Sequence, residues 1–160
     1  MQTLISLKQF ALTGDFGPVR VGMKRDIAVQ LLGEPDTDHD YGGGSCALYY
    51  AWYELFYEGK TGEITGIQND HLLVRDRKHK LDIYFETERA KIDKWFLRYT
   101  KNISEEQVRA ILDEEPIPYS MVPHFDSEIL KFPSGVYLDF EIDEKTDTKV
   151  LNGIRHFPSR

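Results

Sequence analysis

The chain has 160 residues, 41% of them hydrophobic, with nine Phe, nine Tyr and two Trp, which is apolar material enough for one ordinary domain or two small ones. Its net charge of −7 disfavours a nucleic-acid partner, because an acidic surface repels phosphate backbones, and suits a basic protein better. A lone Cys46 excludes an internal disulfide and a multi-cysteine zinc site, and no apolar run approaches the roughly 18 residues needed to span a bilayer.

Residues 1–8 carry no basic segment leading into an apolar run, so no secretory signal is read there and a cytoplasmic location is expected. Residues 4–12 read as a strand, followed by a turn at Gly14-Asp15-Phe16-Gly17-Pro18. A helix is predicted over 24–32, with Ile27, Ala28, Leu31 and Leu32 at helical spacing and Gly33 and Pro35 ending it. Residues 36–45 read as a polar loop, 47–57 as an aromatic-rich strand, 58–62 as a turn and 63–68 as the returning strand.

Strand material is then expected at 72–74 and 81–85 around a basic turn at 75–80, and 90–99 is either a short helix or extended. Ser104 and Gln107 fit a capping box before a helix whose apolar stripe is Val108, Ile111 and Leu112. Strands follow at 128–132, 136–142 and 150–155. In the second of these Val136, Leu138, Phe140 and Ile142 alternate with Tyr137, Asp139, Glu141 and Asp143, as in an antiparallel strand with one packed face.

The two halves repeat one grammar. Met23 matches Ile103, Leu31-Leu32 match Ile111-Leu112, Pro35 matches Pro116, and Ile64-Thr65-Gly66-Ile67 matches Leu151-Asn152-Gly153-Ile154. The fold expected is α+β, in two tandem modules that each lay a short helix on an antiparallel sheet of three to four strands. Residues 1–70 form the first module, 71–102 the connection and 103–160 the second.

Gly17-Pro18-Val19-Arg20-Val21-Gly22-Met23 followed by Leu31-Leu32-Gly33-Glu34-Pro35 resembles the opening of the small outer-membrane assembly lipoproteins. The β-lactamase inhibitory protein superfamily carries the same module in tandem, and the chain is most similar to uncharacterised bacterial proteins of this type. The chain departs from the pattern in three ways: Lys24 stands at the usual Ser/Thr cap, no lipid-attachment Cys is near the N-terminus, and the inhibitor's disulfides are absent. The resemblance implies sheet faces that form a protein-binding surface.

The candidate chemistries are each weak. Asp36, Asp38, His39 and Asp40 gather donors without the spacing of an EF-hand, and Gly42-Gly43-Gly44-Ser45 lacks the Lys and helix of a phosphate loop. Cys46 with His39 suggests a nucleophile, but a thiol opening an apolar strand is more simply buried and inert. Glu114-Glu115 and the pair Glu141 and Asp143 lie in a turn and on a wet strand face. No catalytic residue, metal site or cofactor is predicted.

The aromatic run is the most informative feature. Alternation through 47–57 sends Tyr49, Tyr53 and Tyr57 to one side and Tyr50 and Trp52 to the other. The set facing away from the helix either meets a partner or is covered by the second module. The partner-binding residues expected are Tyr49, Tyr50, Trp52, Phe56, Tyr137, Asp139 and Glu141. The leading expectation is a non-catalytic, inhibitor- or immunity-like module whose partner is a protein, a basic toxin or enzyme, with no nucleic acid and no membrane involved. The alternatives are a homodimer of structural or housekeeping role, or a small hydrolase using the loop from Asp36 to Cys46.

Overall fold

A computed structural model describes residues 1–73, 83–98 and 102–158. The basic turn expected at 75–80, and with it Val74, Leu81, Asp82 and Tyr99, lies outside the described residues. β1 (Thr3–Ser6) leads directly into α1 (Leu7–Thr13), and α2 (Arg25–Leu32) follows. Next come β2 (Thr37–Gly42), β3 (Ser45–Tyr50), β4 (Tyr53–Glu58) and β5 (Ile64–Asn69). β6 (Ala90–Asp93) and a 3-10 turn (Trp95–Arg98) precede α3 (Glu105–Glu114). The chain closes with β7 (Ser120–His124), β8 (Ser127–Lys131), β9 (Tyr137–Asp143) and β10 (Thr148–His156).

The fold is α+β. One antiparallel sheet of eight strands runs in the order β2-β3-β4-β5-β10-β9-β8-β7, and a separate pair, β1 with β6, is parallel. The first four strands of the large sheet therefore meet the last four through β5 and β10, where Gln68 faces Arg155 and Ile67 faces His156.

Several expectations change. Residues 4–12 are not one strand: Ser6 caps α1 by accepting from the Gln9 amide at 3.1 Å, and Leu7, Phe10 and Ala11 bury one helical face. Residues 36–45 are not a loop but mostly β2, an edge strand exposed along its length and lacking any apolar periodicity to mark it. Residues 47–57 are two strands, turning at Ala51 and Trp52, with Ala51 in the left-handed region at φ 51°. Neither residue is a usual turn former, so the composition hid the hairpin. Leu72 and Leu73 are buried but not in a strand, residues 90–99 begin as β6, and β7 was not anticipated.

The capping box forms as expected. The Gln107 amide donates to Ser104 Oγ at 3.1 Å, and Gln107 Oε1 accepts from the Ser104 amide at 3.0 Å. Lys24 makes no side-chain cap on α2. One apolar cluster joins Phe10, Ala28 and Leu32, through Leu48, Tyr50, Leu55 and Ile67, to Leu138, Ile154, Val108 and Leu112. All three helices contribute to it, so the core lies on one face of the large sheet. No helix among the described residues is long and apolar enough to cross a membrane.

Candidate functional site

The strand registers fix what the other face carries. Across the strands from β2 to β8, one row reads Thr37, Tyr49, Glu54, Gln68, Arg155, Tyr137 and Lys131. These residues alternate with the core positions Leu48, Tyr50, Tyr53, Leu55, Ile154 and Leu138, so they point away from the helices. Ala47, Ile129 and Val150 share that outward face and are buried without joining the core cluster.

The row is held together by hydrogen bonds. Gln68 Nε2 donates to Glu54 Oε1 at 3.1 Å, and Arg155 Nη1 donates to Gln68 Oε1 at 2.6 Å. Arg155 also donates to Asp139 Oδ2 from Nε at 3.2 Å and from Nη2 at 2.9 Å, two donors converging on one carboxylate oxygen. At the other end the Tyr41 and Tyr49 hydroxyls bond each other, and Tyr41 reaches Glu54 Oε2 at 3.4 Å. Glu54 is only 6% exposed. Burial raises its pKa, the Gln68 hydrogen bond opposes that rise, and the charge of Asp70 adds to it. The Tyr49 phenol is pushed up as well, by burial first and then by its neighbours Tyr41 and Glu54.

Rings flank this polar row. His39 meets Tyr41 edge-on at 4.4 Å, Tyr41 stacks over Phe56 at 6.2 Å, and Phe56 packs on Phe157 at 5.8 Å. Gly66 makes room for that last ring, since a Cβ there would lie 2.2 Å from Phe157. At the β3–β4 turn Trp52 stands at 79° to Tyr49 and stacks on His71 at 3.8 Å. Asp70 holds the His71 ring nitrogen at 2.6 Å.

Five of the seven residues expected to meet a partner, Tyr49, Phe56, Tyr137, Asp139 and Glu141, lie on this face, and Trp52 stands at its rim. Tyr50 does not. Tyr50 alternates with Tyr49 along β3 and so points into the core, 1% exposed, with its hydroxyl donating to the Gly33 carbonyl at 2.7 Å, and the turn at Ala51 resets the alternation so that Tyr53 lies beside it rather than with Tyr49. Tyr57 is also on the helix side, donating to Asp38 Oδ1 at 2.5 Å beneath the Arg25 guanidinium. Burial and the hydrogen bond to Asp38 push its phenol up to about 12.

The acidic run is divided between faces. Asp36 accepts from the Ala51 amide at 2.7 Å, Asp38 pairs with Arg25 at 2.6 Å, and Asp40 accepts from the Gly42 amide at 2.8 Å. Burial opposes ionisation of Asp38, but hydrogen bonds from Tyr57 and Arg25 hold its carboxylate below the usual range. His39 pairs with Ala47 on the outward face, whereas Cys46 sits with Asp40 and Tyr57 on the opposite one. The β2–β3 register thus separates the thiol from the imidazole. Among the described residues no group of three His, Cys, Asp or Glu side chains could hold a metal ion.

No family model, curated protein or solved structure matches the chain. The site therefore rests on its own geometry. Sequence reasoning missed Tyr41, Gln68, Arg155, Phe157 and His71 as members of this face, and it took His39 only as a metal donor or a base for Cys46. For His39 and Tyr41 a signal existed: Thr37, His39 and Tyr41 alternate with Asp38 and Asp40 at a period of two.

Proposed function

We infer that the chain is a non-catalytic protein-binding module, inhibitor- or immunity-like, that meets its partner through the outward face of the eight-stranded sheet. One observation carries the reading. The helices occupy one face of the sheet, and the other bears Tyr41, Tyr49, Phe56 and Tyr137 around a hydrogen-bonded polar row. Tyrosines give large, rigid contact area at low entropic cost, and a fixed polar row supplies directional contacts.

The same reading takes the chain as two tandem modules, and paired backbone contacts support that. The Ile64 amide donates to the Met23 carbonyl at 2.8 Å, and the Leu151 amide donates to the Ile103 carbonyl at 2.8 Å. Isolated bridges join Lys24 to Glu63 and Ser104 to Val150. The registers slip at matching places, between Phe56 and Tyr57 against β5 and between Leu151 and Gly153 against β9. Both slips precede or flank the glycine of each last strand, Gly66 and Gly153. On this view the sheet face is one composite surface built by both copies, as the likeness to the tandem inhibitors implies.

The test is comparative capture in the cell that makes the protein. Tyr49→Ala, Phe56→Ala and Tyr137→Ala alter the outward face. Ile27→Ala with Leu31→Ala alters the exposed side of α2, where those residues are 43% and 36% exposed. A stoichiometric partner kept by the wild type and the α2 variant but lost by the face variants supports the reading. Identical capture by all of them, or a stable homodimer in light scattering that excludes any other partner, overturns it.

A further inference from the structure

Resting on that reading of the face, we propose that the groove beside the β3–β4 turn is a pocket for the guanidinium of an arginine side chain projecting from a protein partner. The groove encloses about 380 Å³, and the rings of Tyr41, Tyr49 and Trp52 line it together with His39 and Asp36.

The walls have the right character for a cation. Aromatic faces carry negative quadrupole density, and a cation over them gains most when water is partly excluded. Tyr49 and Trp52 stand nearly perpendicular, their centroids 6.3 Å apart, so they form two walls of a corner rather than one flat stack. His71 occupies one face of the indole and is itself held by Asp70, which fixes Trp52 before any ligand arrives.

Charge points the same way. Asp36 stands in the lining, Glu54 lies behind the Tyr41 hydroxyl, and Asp70 lies behind His71. No lysine or arginine is among the described lining residues. An anion entering the groove would meet carboxylates with no lysine or arginine in the described lining to offset them. A planar guanidinium satisfies both features: it stacks on a ring and directs N–H groups in its own plane toward a carboxylate, which an ammonium cannot do together.

The turn that presents the pocket is preorganised. Ala51 holds φ 51°, a conformation that costs a residue with a side chain, and the Asp36 carboxylate ties its amide down. Asp36 thus shapes the turn and charges the groove.

The test is titration of the isotope-labelled full chain with N-acetyl-L-arginine amide, followed by NMR at the Trp52 indole N–H, told apart from that of Trp95 with Trp95→Phe. Parallel arms use the citrulline analogue, which has the same shape without charge, the lysine analogue and tetramethylammonium. The arginine probe is expected to shift the Trp52 and Ala51 signals saturably, and the citrulline probe to leave them unmoved. Trp52→Leu, read at the Ala51 amide, should weaken the arginine response about threefold to thirtyfold. Asp36→Asn, which keeps an acceptor for the Ala51 amide, should weaken it while the fold is retained. Absence of an arginine-dependent shift, or equal shifts from citrulline, overturns the pocket; equal or tighter binding of lysine or tetramethylammonium overturns the guanidinium assignment. Partner capture separates this failure from failure of the wider reading. If Phe56→Ala and Tyr137→Ala lose the partner while Trp52→Leu and Asp36→Asn keep it, the face stands and the pocket falls; if no variant loses it, the face reading falls.

Discussion

Arg155 donates a 2.6 Å hydrogen bond to Gln68 across the β5–β10 pair, at the seam where strands from the two halves of the chain meet. The same guanidinium grips Asp139 on β9. Arg155 therefore ties three strands together on the outward face, and its loss leaves two partners without their donor. Arg155→Met is expected to cost about 1–3 kcal/mol of unfolding free energy in denaturant titration. The lower part of that range fits better, because the Arg155 and Asp139 side chains remain 21% and 23% exposed and water can replace part of the contact.

Glu54 gives a pH signature of its own. Burial raises its pKa in the folded chain, so the folded state keeps the proton at pH values where the unfolded chain has lost it. The sign follows: stability falls as pH rises from the ordinary value of 4.5 through the raised one. Gln68, Tyr41, Tyr49 and Asp70 face the group from the neighbouring elements, and none brings a positive charge. Glu54→Gln should melt higher than the wild type at neutral pH, with the gap closing in acid. Melting curves across the pH range check this, and a Glu54→Gln protein less stable at neutral pH speaks against it.

His156 acts in the opposite sense. It is 8% exposed, meets Phe10 edge-on at 6.0 Å, and its Nδ1 has no hydrogen-bond partner among the described residues. Burial lowers its pKa, an effect the charge of Asp15 opposes only in part. Below its ordinary value of 6.5 the unfolded chain takes a proton that the folded chain resists, so stability is lost as pH falls through that window. His156→Leu should flatten this acid-side loss while leaving the decline attributed to Glu54 in place.

The two last-strand glycines differ in what they would meet. A Cβ at Gly153 would lie 2.4 Å from Asp139 Oδ1 and 3.3 Å from the Asn69 carbonyl, against groups held by an ion pair and a backbone. A Cβ at Gly66 would meet only the ring atoms of Phe157, a half-buried side chain that can yield more readily than backbone. Gly153→Ala is expected to destabilise by about 1–3 kcal/mol, and Gly66→Ala by less. Paired denaturation curves decide the order.

The sequence made α3, its cap and the alternation of β9 legible because each has a local physical signal: a capping box, a helical stripe, a period of two. The outward face was harder. Its edge strand β2 has no apolar residue facing the core, so hydropathy is silent where Thr37, His39 and Tyr41 carry the pattern. The hairpin at Ala51 has no glycine, asparagine or proline to announce it, and missing it grouped Tyr53 and Tyr57 with Tyr49, although both share the helix side with Tyr50. The contact between Arg155 and Gln68 joins residues 87 apart and is set by how the half-sheets dock, which local spacing does not encode.

Photo-crosslinking in the cell that makes the protein asks most directly which face meets a partner. A benzophenone side chain replaces Tyr137 on the outward face in one variant and Ile27 on the exposed side of α2 in the other. Our account predicts a discrete protein adduct from position 137 and none from position 27. Adducts only from position 27, or the same adducts from both, would contradict it.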